Sequence, residues 1–256
     1  RRQRQMCIRD RNKSYKKYLK LIGAAVALTG VISLFSAVGI VFNLNDNGII
    51  VCQIMAFLIC GVASVLYMKK KEPTLRAFGF QKPPLNKRML LFMTVIVLIQ
   101  PGLFGVNHQL PLSTMALIMV QMLLVGFVEE TVFRGIFLYV LRNQSPKVFL
   151  LFSSLVFGVL HMASSLNPET AGILVGLQII NALLLGLVFS LIYYTQRSIY
   201  TVILFHGSFN VLATLSNAGS IGNNITAVLL LSLCYGVFLL YFSRGIAPIA
   251  NLKSSH

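Results

Sequence analysis

The sequence predicts an all-α fold, a polytopic transmembrane helix bundle of about eight spans with its N and C termini cytoplasmic. Three observations predict it. Of 256 residues, 56% are apolar and only 11% charged, with a mean hydropathy of +0.79, whereas a soluble domain carries about 25% charged residues. Apolar runs of spanning length recur along the whole chain. Lys and Arg, 22 against six Asp and Glu, collect in alternate breaks between those runs. A net charge of +16 in a soluble protein would suggest nucleic acid; this apolar content argues against that partner and makes the charge a record of topology.

A spanning helix needs about 20 mostly apolar residues. The runs cover 19–42, 49–68, 89–104, 112–141, 148–165, 171–194, 199–215 and 225–242. Ahead of the first lies a basic cytoplasmic segment, 1–18. The first apolar run is longer than a signal-peptide core and no A-x-A site follows, so it reads as an anchor helix. The third run is short, and the fourth is too long for the bilayer core and is interrupted by charge. Between the second and third, residues 69–88 carry seven basic residues with Pro73, Pro83 and Pro84, a cytoplasmic connector that is partly interfacial. Residues 19–242 form a single integral-membrane domain, and 243–256 a cytoplasmic tail.

Arg142 and Lys147, then Arg197, then Arg244 and Lys253 mark the later breaks on the same side. The opposite breaks (43–48, 105–111, 166–170 and 216–224) contain no Lys or Arg, so 21 of the 22 basic residues fall on one side. The positive-inside rule makes that side cytoplasmic. Eight of nine tyrosines, all but Tyr235, cluster near the same boundary, where amphipathic rings prefer to lie. The basic face is suited to anionic lipid headgroups. Cys7, Cys52, Cys60 and Cys234 have no metal-ligand or disulfide-framework spacing and read as packing residues.

The ionisable residues inside the spans are Glu129, Glu130, Arg134, His161 and His206. A charge near the bilayer centre costs roughly 2.5–3.5 kcal/mol on insertion scales, so three within six residues point to function. Glu130 and Arg134 are four apart on a helix and can pair; a role in holding the bundle together suits them equally. Glu129 is turned about 100° from Glu130 and finds no basic partner on its own helix, which makes it the better general base. At about 1.5 Å per residue, Glu129, His161, His206 and Asn210 reach one layer at or slightly cytoplasmic of the midplane. His206 and Asn210 share a helix face. His108 falls in an outer loop and receives no role.

Most designs for hydrolysis inside a membrane are absent. No aspartate lies in a span, no H-E-x-x-H occurs, and Ser208 has no G-x-S-x-G around it. A glutamate and histidine design remains. Glu129-Glu130-Thr131-Val132-Phe133-Arg134 fits E-E-x-x-x-R, Phe157 to His161 fits F-x-x-x-H, and His206 to Asn210 fits H-x-x-x-N. In that order on successive membrane helices, these resemble the CPBP family of intramembrane endopeptidases, which takes in CAAX prenyl proteases and bacteriocin-processing or self-immunity proteins. The stretch 185–210, with Ser198 ahead of the His206 helix, is also similar to the family. The resemblance spans roughly 112–215.

The resemblance implies that Glu129 activates a water with help from His161, that His206 and Asn210 supply donors to the oxyanion, and that Glu130 and Arg134 orient the site. The substrate implied is a membrane-associated peptide or protein, and the setting a bacterial plasma membrane. A prenylated CAAX substrate belongs only to an organism that prenylates. No cofactor is favoured. The alternative is a divalent metal such as zinc on Glu129, His161 and His206, a two-His, one-carboxylate set. Two other readings stand beside the protease. A catalytically silent bacteriocin-immunity or scaffold membrane protein should have degenerate motifs, and these are intact. A proton-coupled transporter would use intramembrane carboxylates as relays but predicts inverted repeats with broken helices, which the sequence does not show.

Overall fold

A computed structural model of the chain describes residues 2–84, 86–166 and 170–244, with side chains from residue 15 onward. Cys7, the first part of the basic segment and nearly all of the expected tail, including Lys253, lie outside the described side chains. The described residues form a helical bundle: α1 (Arg2–Val41), α2 (Asp46–Lys71), α3 (Lys87–Phe104), α4 (Leu112–Glu130), α5 (Phe137–Leu141), α6 (Pro146–Leu160), α7 (Gly172–Gln196), α8 (Ile199–Thr214) and α9 (Ile221–Ser243). α4 and α5 together make the long fourth span, Leu112–Leu141. Among the described residues, seven spans are long and apolar enough to cross a membrane, and α8 is a shorter apolar helix.

The helix ends follow from local chemistry. Side chains of Asn45, Asn86, Ser145 and Ser220 cap the first free amides of α2, α3, α6 and α9, supplying acceptors that the helix start lacks. Pro146 sits in the first turn of α6, where its missing N–H is harmless. Arg197, at φ +56°, stops α7 and lets α8 begin two residues later.

Short α8 lies against α4 and α3, while α6 and α9 pack on α7, and α2 packs on α1 and α4. Cross-helix polar contacts fix the register where apolar packing cannot. Gln121 of α4 donates to Gln53 of α2, which donates to Ser36 of α1 at 2.8 Å. Tyr235 of α9 donates to Asn181 of α7 at 3.0 Å. Away from the basic end, Asn217 donates to the Phe104 carbonyl at 2.9 Å, tying the loop after α8 to the end of α3.

The connector is more embedded than a surface loop. Residues 72–84, called here the strap, drive Phe78 into full burial, stacked on Tyr139 with ring centroids 4.4 Å apart. Gly79, at φ +85°, lies so close to the Tyr193 ring that a Cβ would stand 2.7 Å from its hydroxyl. The Gly79 carbonyl accepts the Ile199 amide at 2.8 Å, and Ser198 donates to the Gln81 carbonyl at 2.7 Å. The strap thus fastens the start of α8 to the end of the α4–α5 span.

Candidate active site

The helix carrying the two glutamates changes type beside them. Residues Thr131–Ile136 form a buried π turn between α4 and α5, where the spacing within the motif implies an uninterrupted α-helix. The expected pair nevertheless forms: Arg134 Nη1 donates to Glu130 Oε1 at 3.0 Å, with both side chains fully buried. A π turn shifts main-chain bonding out of the α register and often marks a functional site. Here the Ser153 hydroxyl of α6 reaches the Phe133 carbonyl at 2.6 Å, bracing the turn from the next helix.

Arg134 is held through both Nη atoms and its two faces, while its buried Nε has no hydrogen-bond partner. Nη2 donates to the Gly186 carbonyl of α7 at 3.1 Å. The guanidinium lies 4.4 Å from the Phe157 ring centroid and 5.2 Å from that of Phe189. A buried cation is tolerated when it is paired, hydrogen-bonded and faced by aromatic rings.

His206 joins the two carboxylates. Its Nδ1 donates to Glu130 Oε1 at 2.7 Å, and its Nε2 stands 3.8 Å from Glu129 Oε2. The imidazole stacks on Phe189 at 4.9 Å between centroids, and its edge meets Phe157 at 5.8 Å. The carboxylates occupy different surroundings, as their neighbours in sequence imply: the Glu130 side chain is 0% exposed and that of Glu129 16%. Glu129 Oε2 makes no hydrogen bond.

α4 and α8 approach closely because both are glycine at the crossing. A Cβ on Gly126 would stand 2.8 Å from the Gly207 amide nitrogen and 3.0 Å from the Ile203 carbonyl oxygen. Gly126 lies one turn before Glu129 and Gly207 directly follows His206, so the crossing sets the distance between those two side chains.

His161 ends α6 at the start of a 3₁₀ turn, His161–Leu166. Its Nδ1 donates to the Phe157 carbonyl at 2.8 Å, which leaves the Nε2 lone pair available when the ring is neutral. The half-buried ring packs edge-on against Phe157 at 4.8 Å. The structure therefore joins Glu129, Glu130, Arg134 and His206 directly, and links His161 to them through Phe157. Asn210 is half-buried one turn beyond His206, outside this hydrogen-bonded group. Among the described residues, no three His, Cys, Asp or Glu side chains are gathered to hold a metal ion; in this geometry Glu129, His161 and His206 do not form a ligand set.

Sequence reasoning placed the second half of α7 within the stretch similar to the family but gave none of its residues a role. Its Gly186 carbonyl and Phe189 ring both contact Arg134, and only the small residues Gly186 and Ser190 within an otherwise bulky apolar run hinted at a packed, polar face. The π turn had no signal beyond the density of charge.

Residues 111–212 match the type II CAAX prenyl endopeptidase Rce1-like family. No curated protein and no solved structure matches the chain. The matched segment holds Glu129, Glu130, Arg134, His161, His206 and Asn210 within the three motifs, and over that segment the chain is similar to this family of membrane endopeptidases.

Proposed function

We propose that the protein is a glutamate-type intramembrane endopeptidase that hydrolyses a peptide bond of a membrane-associated peptide or protein. The observation that carries this reading is His206 set between two unequal carboxylates, one fully buried and locked by Arg134 and the other partly exposed with no Arg partner. Glu129 takes a proton from water, and the water oxygen bonds to the scissile carbonyl carbon. His161, with Nδ1 held by the Phe157 carbonyl, turns Nε2 toward the same water as an acceptor. The charge developing on the carbonyl oxygen is met by His206 Nε2–H and the Asn210 amide. Collapse of the tetrahedral intermediate breaks the C–N bond, and the proton held by Glu129 passes to the leaving amine.

His206 donates through Nε2 only as an imidazolium, because Nδ1–H is already committed to Glu130. With His206 so charged, Glu129, Glu130, Arg134 and His206 sum to zero. This suits a low-dielectric site, where an uncompensated charge is costly. Glu130 and Arg134 hold the imidazole in orientation.

The test uses purified protein in lipid with fluorogenic membrane-anchored peptides, among them CAAX peptides with and without a prenyl chain. Glu129→Gln and His161→Ala should each lower the cleavage rate by about 10²–10⁴, the range of a general acid–base contribution. Normal cleavage by both variants would overturn the reading. Activity should survive a strong chelator; loss on chelation, restored by zinc, would assign a metal instead.

The setting proposed is a bacterial plasma membrane, with both termini and the basic end of the bundle in the cytoplasm. The one-sided distribution of Lys and Arg supports that orientation.

A further inference from the structure

Between α2 and α4 runs an apolar groove, a cavity of about 240 Å³ lined by residues that include Phe57, Gly61, Leu66, Leu124 and Phe127. From Phe57 to Leu66 it follows α2 for about 14 Å at the helical rise. Leu58, Val62 and Leu66 on its α2 wall are exposed on the lipid-facing side of the bundle. One turn beyond Leu66, on the same helix face, stand Lys69 and Lys70, both exposed. The strap follows them with exposed Arg76 and Lys82, and Phe80 of the strap packs edge-on against Phe127 of the groove.

None of these cations makes an ion pair among the described residues. Ion pairs there are confined to Glu129, Glu130, Arg134 and His206. Asp46 lies at the far end of α2. Glu72, the acid nearest the lysines, is spent on its own turn, accepting from the Thr74 hydroxyl and from the Thr74 and Ala77 amides. A long apolar channel capped by cations at the aromatic boundary matches a molecule with an acyl chain joined to an anionic head.

We infer that the α2–α4 groove is a binding site for an anionic phospholipid, with an acyl chain along Leu58, Val62 and Leu66 and the headgroup phosphate on Lys69 and Lys70. The groove favours a lipid over a free phosphate or an acidic peptide, because neither would use its apolar floor. Juxtamembrane Lys and Arg each favour an anionic headgroup by about fivefold, so two should give a preference on the order of tenfold after screening.

The chain has no tryptophan, so Leu58→Trp places a single fluorophore in the groove. Leu229→Trp, exposed on α9, reports ordinary lipid contact. Each variant is reconstituted in mixtures of phosphatidylcholine and phosphatidylglycerol, with one or the other carrying brominated acyl chains that quench tryptophan. The expected result is about tenfold preferential quenching by phosphatidylglycerol at Leu58→Trp, near-equal quenching at Leu229→Trp, and loss of the preference on adding Lys69→Gln with Lys70→Gln. Circular dichroism and gel filtration verify that the neutralised protein is folded. Equal quenching by both lipids at Leu58→Trp, the same preference at Leu229→Trp, or a preference that survives neutralisation would each overturn the site. Displacement by inorganic phosphate or an acidic peptide without lipid exchange would assign a different ligand.

Discussion

Arg134 is the residue on which the site depends most for its stability. It is fully buried, pairs with Glu130, donates to the Gly186 carbonyl and is flanked by Phe157 and Phe189. Removing one partner of a buried pair leaves the other charge uncompensated, at a cost of roughly 3–5 kcal/mol. Arg134→Met should therefore lower the unfolding midpoint in detergent markedly. The double variant Glu130→Gln with Arg134→Met should recover much of the loss, because no lone charge remains. A double variant as unstable as Arg134→Met would show that the guanidinium matters through its contacts with α7 and the rings rather than through its charge. At this scale the sequence was informative: Glu130 and Arg134 are four apart, and their pairing could be read directly. The donation from His206 to Glu130 could not, because it depends on how α8 crosses α4, a relation between residues 76 positions apart.

Two elements place the reactive groups, and each makes a separate prediction. The α4–α8 crossing is set by Gly126 against Gly207, with no room for a Cβ between the backbones. Gly126→Ala should push the helices apart, costing about 1–3 kcal/mol as overpacking does, and should lower cleavage by carrying His206 away from Glu129. An active, fully stable Gly126→Ala would show that the crossing tolerates displacement. The strap is the second element. Hydrogen bonds from the Thr74 hydroxyl and from the Ala77 and Thr74 amides hold the Glu72 carboxyl below its ordinary value. A depressed folded value means that the carboxylate supports the folded turn above the unfolded value of about 4.3, and that this support disappears as pH falls through the folded value. Protection of the Thr74 and Ala77 amides, read by hydrogen exchange corrected for intrinsic rates, should persist at neutral pH and fall on acidification. Glu72→Gln should remove that pH dependence; an unchanged profile would place the support elsewhere. The prolines and charges of this segment suggested a surface connector, but burial of Phe78 against Tyr139 depends on a pocket made by distant helices and has no local signature.

For the whole molecule, hydropathy and charge laid down the helix order, since in lipid a spanning backbone must satisfy its own hydrogen bonds and so declares itself as a long apolar run. The contribution of α7 and the π turn stayed hidden, because Gly186 supplies a carbonyl and Phe189 a ring, neither distinguishable in sequence from ordinary packing. The same charge pattern supports the orientation proposed above. The strap and the α5–α6 turn lie at the basic end, while the loops after α3 and α8 are joined at the opposite end by Asn217 and the Phe104 carbonyl. If the positive-inside rule governs this chain, those two ends face different compartments. Single cysteines at Gln81 and Ser145, and at His108 and Ala218, in a background with all four native cysteines replaced by alanine, test this in intact cells. A membrane-impermeant maleimide should label His108→Cys and Ala218→Cys from outside, and label Gln81→Cys and Ser145→Cys only after the membrane is opened. The reverse pattern would invert the topology. It would also place the Lys69–Lys70 end of the α2–α4 groove in the outer leaflet, so the lipid bound there would have to be drawn from that leaflet. Mixed labelling within either pair would break the shared end that Asn217 and the strap define, and with it the antiparallel order of the bundle.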